Sequence, residues 1–194
     1  MSKKNSLKEI ITVAQKLFFE YDYDTVSMGD IAKSSKITKA ALYYHFTSKQ
    51  DLYLHIINKN FSDFKENIES LMNEKSYLKF NVEDKVKKVL VFYFDFIVGR
   101  VGFLKVMAKK VTKNDKEMIK FFAKGRENIL EILKPLSEEI IKYKKMKSDV
   151  SHKNVSMMLM STVNPFVHEY AMGVNKKINP EFVAKQICSF IFSK

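Results

Sequence analysis

Cysteine is almost missing: Cys188 is the single thiol in 194 residues. This excludes a disulfide framework and any multi-cysteine zinc site, and it suits a reducing, cytoplasmic setting. Glycine and proline are scarce as well, at five and three. Strand-rich folds need frequent turns, so this scarcity predicts long helices. Arginine is nearly absent too, with only Arg100 and Arg126 among the 34 basic residues. The longest apolar run, residues 89–98, is interrupted by Asp95 and reaches about half of the ~20 residues a membrane span needs. Residues 1–6 are polar and basic, and with no apolar stretch behind them no secretory signal is expected.

What is present is a core and a positive charge. Apolar residues make up 46% of the chain, enough for a globular protein with one or two domains. The net charge of +12 invites a nucleic-acid partner. The charge is spread along the chain, however: residues 1–60 hold nine lysines against six acids. Charge alone therefore favours DNA only slightly.

Helical patterns run end to end, about nine in all, and no strand pattern appears. Ser6-x-x-Glu9 reads as a capping box before Leu7, Ile10, Ile11, Ala14, Leu17 and Phe18. Ser27-x-x-Asp30 caps a short helix, and Thr38 caps another. Ser48-x-x-Asp51 then opens a long helix over residues 49–73, ~37 Å at 1.5 Å per residue, a length suited to joining two domains. Asn81 caps an apolar helix through residue 98. A corner at Gly99 and Gly102 precedes a helix with Phe103 and Met107. Asn114-x-x-Glu117 opens a helix through about Tyr143, split or kinked at Pro135. A further helix spans Ser151 to Met172, interrupted near Pro165 and ended by Gly173. Asn179-Pro180 starts the last. The expected organisation is all-α, with a DNA-binding domain over residues 1–50 and a second domain over 51–194.

The segment "TKAALYYHF", residues 38–46, carries the most information. Leu42 and Phe46 fall on one side of a helix and anchor it. Ala40, Ala41 and Tyr44 fall on the other, flanked by Tyr43 and His45. Small residues let that face approach another surface closely, and the ring tips supply hydrogen bonds at its edges. The major groove of DNA admits one helix, whose first residues reach base edges while its flanks grip phosphates. Half-buried core tyrosines are the default reading of a Tyr-Tyr pair. Here the pair sits inside a capped helix-turn-helix pattern, which favours the DNA surface.

The stretches "IITVAQKLFFEYDYD" and "TVSMGDIAKSSKITKAALYYHFTSKQDLY" resemble the tetracycline-repressor (TetR) family of bacterial transcription regulators. The resemblance covers roughly residues 7–60. It implies a homodimer that binds a palindromic double-stranded DNA operator and releases it when a small-molecule effector enters the C-terminal domain. Residue by residue, it implies that Ser27 and Thr38 contact phosphates, and that Lys39, Ala40 and Ala41 face bases. Tyr43, Tyr44 and His45 would hold the DNA backbone, with Lys49 as one more phosphate contact. Two departures stand out: Lys36 occupies the turn where the family usually has Gly, and Gly29 stands where a charged residue is common.

Beyond residue 60 the chain is rich in Phe and Met. Core packing is the default reading, but methionine also suits adaptable pockets. The candidate effector residues are Phe92, Asp95, Phe96, Phe103, Met107, Phe121, Phe122, Met158, Phe166 and His168. For Asp95, flanked by two phenylalanines, a solvent-facing or internally satisfied role is the default and pairing with a cationic ligand group the alternative; the pocket is expected to measure a few hundred Å³. Apolar positions in residues 155–166 and 183–191 fit a dimer interface or an internal core equally. No catalytic set, cofactor or metal is expected: no H-E-x-x-H, no phosphate-cradling glycine loop, and only His152 and His168 with Glu169 toward a metal. A DNA-binding architectural dimer without an effector is the main alternative, and a small helical enzyme a weaker one.

Overall fold

The computed structural model describes residues 3–21, 23–100, 116–147, 149–175 and 177–193. Among them there are ten helices and no strand. They are α1 (Lys3–Glu20), α2 (Met28–Ser34), α3 (Lys39–His45), α4 (Lys49–Asn73), α5 (Lys75–Leu78), α6 (Val82–Val98), α7 (Lys116–Ile132), α8 (Lys134–Tyr143), α9 (His152–Met172) and α10 (Pro180–Phe192).

Local chemistry sets most of these boundaries. Ser27, Thr38, Asn81, Ser151 and Asn179 each cap a helix by accepting a backbone N–H two or three residues inside it, which satisfies one of the donors a helix start leaves open. Gly173 ends α9 at φ 74°, a left-handed conformation that glycine adopts without a Cβ penalty. Pro135 separates α7 from α8 and sits in the first turn of α8, where its missing N–H is not needed. Three expectations are corrected. The first helix begins at Lys3, so Ser6 lies inside it. Pro165 does not interrupt α9. The short α5 had no periodic signal to mark it. The expected helix around Phe103 and Met107 lies outside the described residues.

The chain divides into two compact units, the first holding Met1–Ser62 and the second Asp63–Val101 with Glu117–Lys194. In the first, α2 packs on α1 and α3 around Ile10, Ala14, Ile31, Leu42, Leu52 and Ile57. Phe18, Tyr23 and Tyr53 add a three-ring cluster with centroids 4.9–5.6 Å apart, a spacing favourable for edge-on and offset rings. In the second unit, α6 packs on α8, α9 and α10. Its core includes Val86, Leu90, Leu133, Leu136, Leu159 and Val183. Ser137 and Ser156 share a buried 2.7 Å hydrogen bond between α8 and α9, so two core hydroxyls satisfy each other.

Candidate nucleic-acid interface

The turn between α2 and α3 is closed by backbone chemistry. Lys36 takes φ 55°. Its N–H donates to Lys33 O at 3.1 Å, and the next, Ile37 N–H, donates to Ala32 O at 3.0 Å. That pair of bonds is a Schellman ending with Lys36 in the place glycine usually takes. A lysine can adopt it at a modest cost in strain, on the order of 1 kcal/mol. α3 then starts at Thr38, whose hydroxyl accepts from Ala41 N–H at 3.1 Å.

α3 divides its residues as the wheel predicts. Leu42 is fully buried and the following Phe46 nearly so. Ala40 is exposed and Ala41 half-buried. Tyr43 is 50% exposed and Tyr44 72%, so neither ring belongs to the core. His45 is half-buried and stands edge-on to Tyr44 at 5.3 Å. The phenolic and imidazole tips thus flank a face whose centre is small. Thr38 keeps its hydroxyl proton clear of the cap it makes.

Two sequence-based phosphate ligands are placed differently. The Ser27 hydroxyl donates to Asp30 Oδ2 at 2.6 Å and accepts from Asp30 N–H at 3.1 Å. Its proton is spent inside the capping box. Asp30 is held below the usual carboxylate range first by the Ser27 side-chain bond and then by the Ser27 backbone bond, with Lys33 and Lys39 adding charge. Lys49 is turned inward: its Nζ donates to Tyr23 O and Val26 O, both at 2.8 Å, and sits 4.3 Å from the Tyr23 ring centre. An ammonium has three donors, and this one uses them on the loop before α2. Spacing could not supply the Lys49 placement, because its acceptors lie 23 or more residues away in sequence.

The structure also brings forward residues the motif left out. An open recess of about 370 Å³ is lined by Ser27, Met28, Gly29, Lys39, Tyr43, Thr47, Ser48 and Lys49. Thr47 spends its proton on Asp51 Oδ2 at 3.0 Å. Ser48 accepts from Asp51 N–H at 3.0 Å and keeps its proton available. The signal for Ser48 was its place in the Ser48-x-x-Asp51 cap, which was read for helix formation alone.

In the second unit, Phe92 and Phe96 join Phe64, with centroids 5.0–5.8 Å apart, and the Arg100 guanidinium lies 3.7 Å from the Phe96 ring centre. Asp95 does not join them. It is exposed, on a stripe of α6 shared with Asp84, Lys88 and Gly99. Partial burial and the like charge of Glu181 on α10 raise its pKa. A buried partner for a cationic ligand is therefore not found at Asp95. Met158 and His168 are also exposed, while Phe121 and Phe166 are half-buried. Phe103 and Met107, like the side chain of Phe122, lie outside what is described. The void bounded by Phe64, Val89, Leu90, Tyr93, Leu133, Leu159 and Met160 measures about 10 Å³. It holds one water at most.

Known proteins show the same combination of sequence and fold. Residues 10–56 match the family model of bacterial regulatory proteins, tetR family. The transcriptional regulator QacR of Staphylococcus aureus is 34% identical over 82 residues, 40% of this chain and 44% of QacR. IcaR of the same species, the negative regulator of the biofilm operon icaADBC, is 38% identical over 87 residues, 45% of each chain. The chain thus aligns with less than half the length of the curated relatives it matches. Its whole fold resembles FadR of Bacillus subtilis solved with stearoyl-CoA (TM-score 0.79, 19% identity, 96% of this chain and 98% of that one). It also resembles FadR of Bacillus halodurans (TM-score 0.81, 19% identity, 100% and 97%). Residues 10–56, which hold the helix-turn-helix, match the model of the tetR family of bacterial regulatory proteins, and the chain carries the helical fold of the two FadR structures.

Proposed function

We propose that the protein is a non-enzymatic transcriptional regulator, a repressor that binds a palindromic DNA operator as a twofold dimer. The observation that carries this reading is α3. Its small central residues and exposed Tyr43 and Tyr44 lie opposite the buried anchors Leu42 and Phe46, on a helix fixed at its start by a cap. Thr38, Tyr43, Tyr44 and His45 supply backbone contacts, and Ala40 and Ala41 meet bases.

The dimer rests on apolar side chains of α9 and α10 that their own chain leaves uncovered: Met158, Phe182 and Phe190, the last 84% exposed. Val155, Leu159, Val163 and Val183 are buried internally, so part of the stripe read from the sequence serves the core, while Phe190 of the same stripe stays open to a partner. The effector in this reading is a mostly apolar small molecule admitted beside Phe64, Phe92 and Phe96. The fold's capacity for such a ligand is supported by the FadR of Bacillus subtilis solved with stearoyl-CoA. The second reading is a DNA-binding dimer with no effector.

The test selects a duplex from a randomised palindromic library and measures its binding across a salt series, then repeats it with a panel of apolar amphiphiles. Selective, salt-sensitive binding relieved by one panel member is expected. Selective binding that no amphiphile relieves supports the second reading, and equal affinity for selected and scrambled duplexes removes both the operator and the repressor.

A further inference from the structure

Gly29 is the second residue of α2 and lies beneath Lys39, the first residue of α3. A Cβ placed on Gly29 would come within 2.8 Å of Lys39 Cε, 3.2 Å of Lys39 Nζ and 3.4 Å of Ser27 Oγ. The first distance is shorter than two carbon atoms tolerate. The lysine stem therefore crosses α2 over the one residue that has no side chain. Its ammonium is held over α2, and Lys39 lines the recess together with Tyr43 and Ser48.

In a helix-turn-helix the first helix crosses the DNA backbone while the second enters the groove. A cation drawn back over α2 is on the phosphate side of that arrangement. The recess also needs it. Lys49 is committed to Tyr23 O and Val26 O, and the protons of Ser27 and Thr47 are committed to Asp30 and Asp51. Lys39, Ser48 and Tyr43 are the wall residues whose donors make no hydrogen bond among the described residues.

We propose that Lys39 is a phosphate ligand, not a base reader, and that Gly29 is the residue that positions it. This rests on the DNA-binding reading above. A phosphate seated in the recess meets the Lys39 ammonium and the Ser48 and Tyr43 hydroxyls. The lysine contributes affinity without sequence preference. Any side chain at Gly29 lifts it out, at little cost to folding, because the clashing atom is the far end of a flexible chain and alanine is the better helix former.

The experiment compares wild type, Gly29→Ala, Lys39→Ala and the double variant. Each is titrated over a salt series with the duplex selected from a randomised library and with a scrambled duplex. Lys39→Ala is expected to weaken both duplexes by the same factor, lower the slope of log K against log salt by about 1, and leave the selected sequence unchanged. Gly29→Ala should reproduce this in the wild-type background and add nothing in the Lys39→Ala background. Two outcomes overturn the proposal: a loss on Lys39→Ala confined to one base position of the selected duplex, or a Gly29→Ala effect that is absent or is the same size in both backgrounds. A wild type that binds neither duplex sinks the regulator reading itself, and the proposal with it.

Discussion

Replacing Lys49 by methionine separates a residue that grips DNA from one that holds the DNA-binding head together. The substitution keeps most of the stem and removes the ammonium. Two charge-assisted hydrogen bonds of 2.8 Å, to Tyr23 O and Val26 O, are lost, with a cation–π contact at 4.3 Å. Hydrogen bonds to a charged group are worth about 1.5–3 kcal/mol each, and a cation–π contact about 0.5–1 kcal/mol. The side chain is only half-buried, and water can reach the freed carbonyls, so the sum must be discounted to roughly 2–3 kcal/mol. For a chain of this size that corresponds to a fall in Tm of roughly 5–10 °C. The Tyr23–Val26 loop aims the start of α2, so operator affinity falls as well, through loss of the folded head. The assay is thermal unfolding by circular dichroism, paired with a salt series of DNA binding below the melting range. A Tm drop with the salt slope intact is expected. An unchanged Tm with a slope smaller by about 1 would refute this reasoning and restore Lys49 as a phosphate contact.

Other consequences can be checked as directly. Lys36→Gly relieves the left-handed strain at φ 55° but frees the unfolded chain, so a net gain of about 0.5 kcal/mol is expected in urea unfolding; a lower midpoint would show that the lysine is unstrained. Phe190→Lys places a charge on the exposed face of α10 and should convert the proposed dimer to monomer in light scattering with Tm at low concentration unchanged; a wild type that is already monomeric at micromolar concentration removes the dimer. Cys188, buried, has its thiol pushed up to about 11, chiefly by burial, so a thiol reagent at pH 8 should label it only as fast as the protein opens. Burial also raises Tyr93, to about 12, and Tyr77. These groups stay protonated when folded but ionise when unfolded, so stability falls as pH climbs above about 9; a flat urea midpoint from pH 8 to 10.5 would contradict their burial.

Helix caps were legible because their chemistry closes within four residues. Ser27 with Asp30, Thr38 with Ala41 and Asn81 with Asp84 need no knowledge of the fold. The division of α3 was legible for the same reason: the buried Leu42 and Phe46 and the exposed Tyr44 follow from helical spacing alone. Asp95 is exposed, the default role for it, and only its pairing with a ligand cation finds no support, because its two phenylalanine neighbours in sequence lie on other faces of the helix. The stripe Asp84, Lys88, Asp95, Gly99 marked the wet face of α6, and side chains three and four apart, not adjacent ones, share a surface. Lys49 and Lys39 were out of reach of this reasoning. Each has a long flexible stem, and its direction is set by acceptors or by empty space on another helix.

Those two lysines change how the head can read sequence. Residues 1–60 contain no arginine, so the commonest guanine contact, a bidentate guanidinium, is not on offer. Lys39 is the direct substitute, and with its stem across Gly29 the proposal assigns it to phosphate. What remains over the groove is Ala40, Ala41 and the Tyr44 ring, which can meet thymine methyl groups but cannot donate in a fork to guanine. A head of this composition should favour A·T-rich half-sites, through methyl contacts and through the shape and stiffness of such sequences. Its tolerance for guanine at any one position should exceed that of an arginine-bearing head. In the proposed reading the grip comes from donors with no sequence preference, Thr38, Ser48, Tyr43 and Lys39; only Lys39 among them is charged, so this set adds about 1 per half-site to the salt slope, and discrimination per base pair should be shallow.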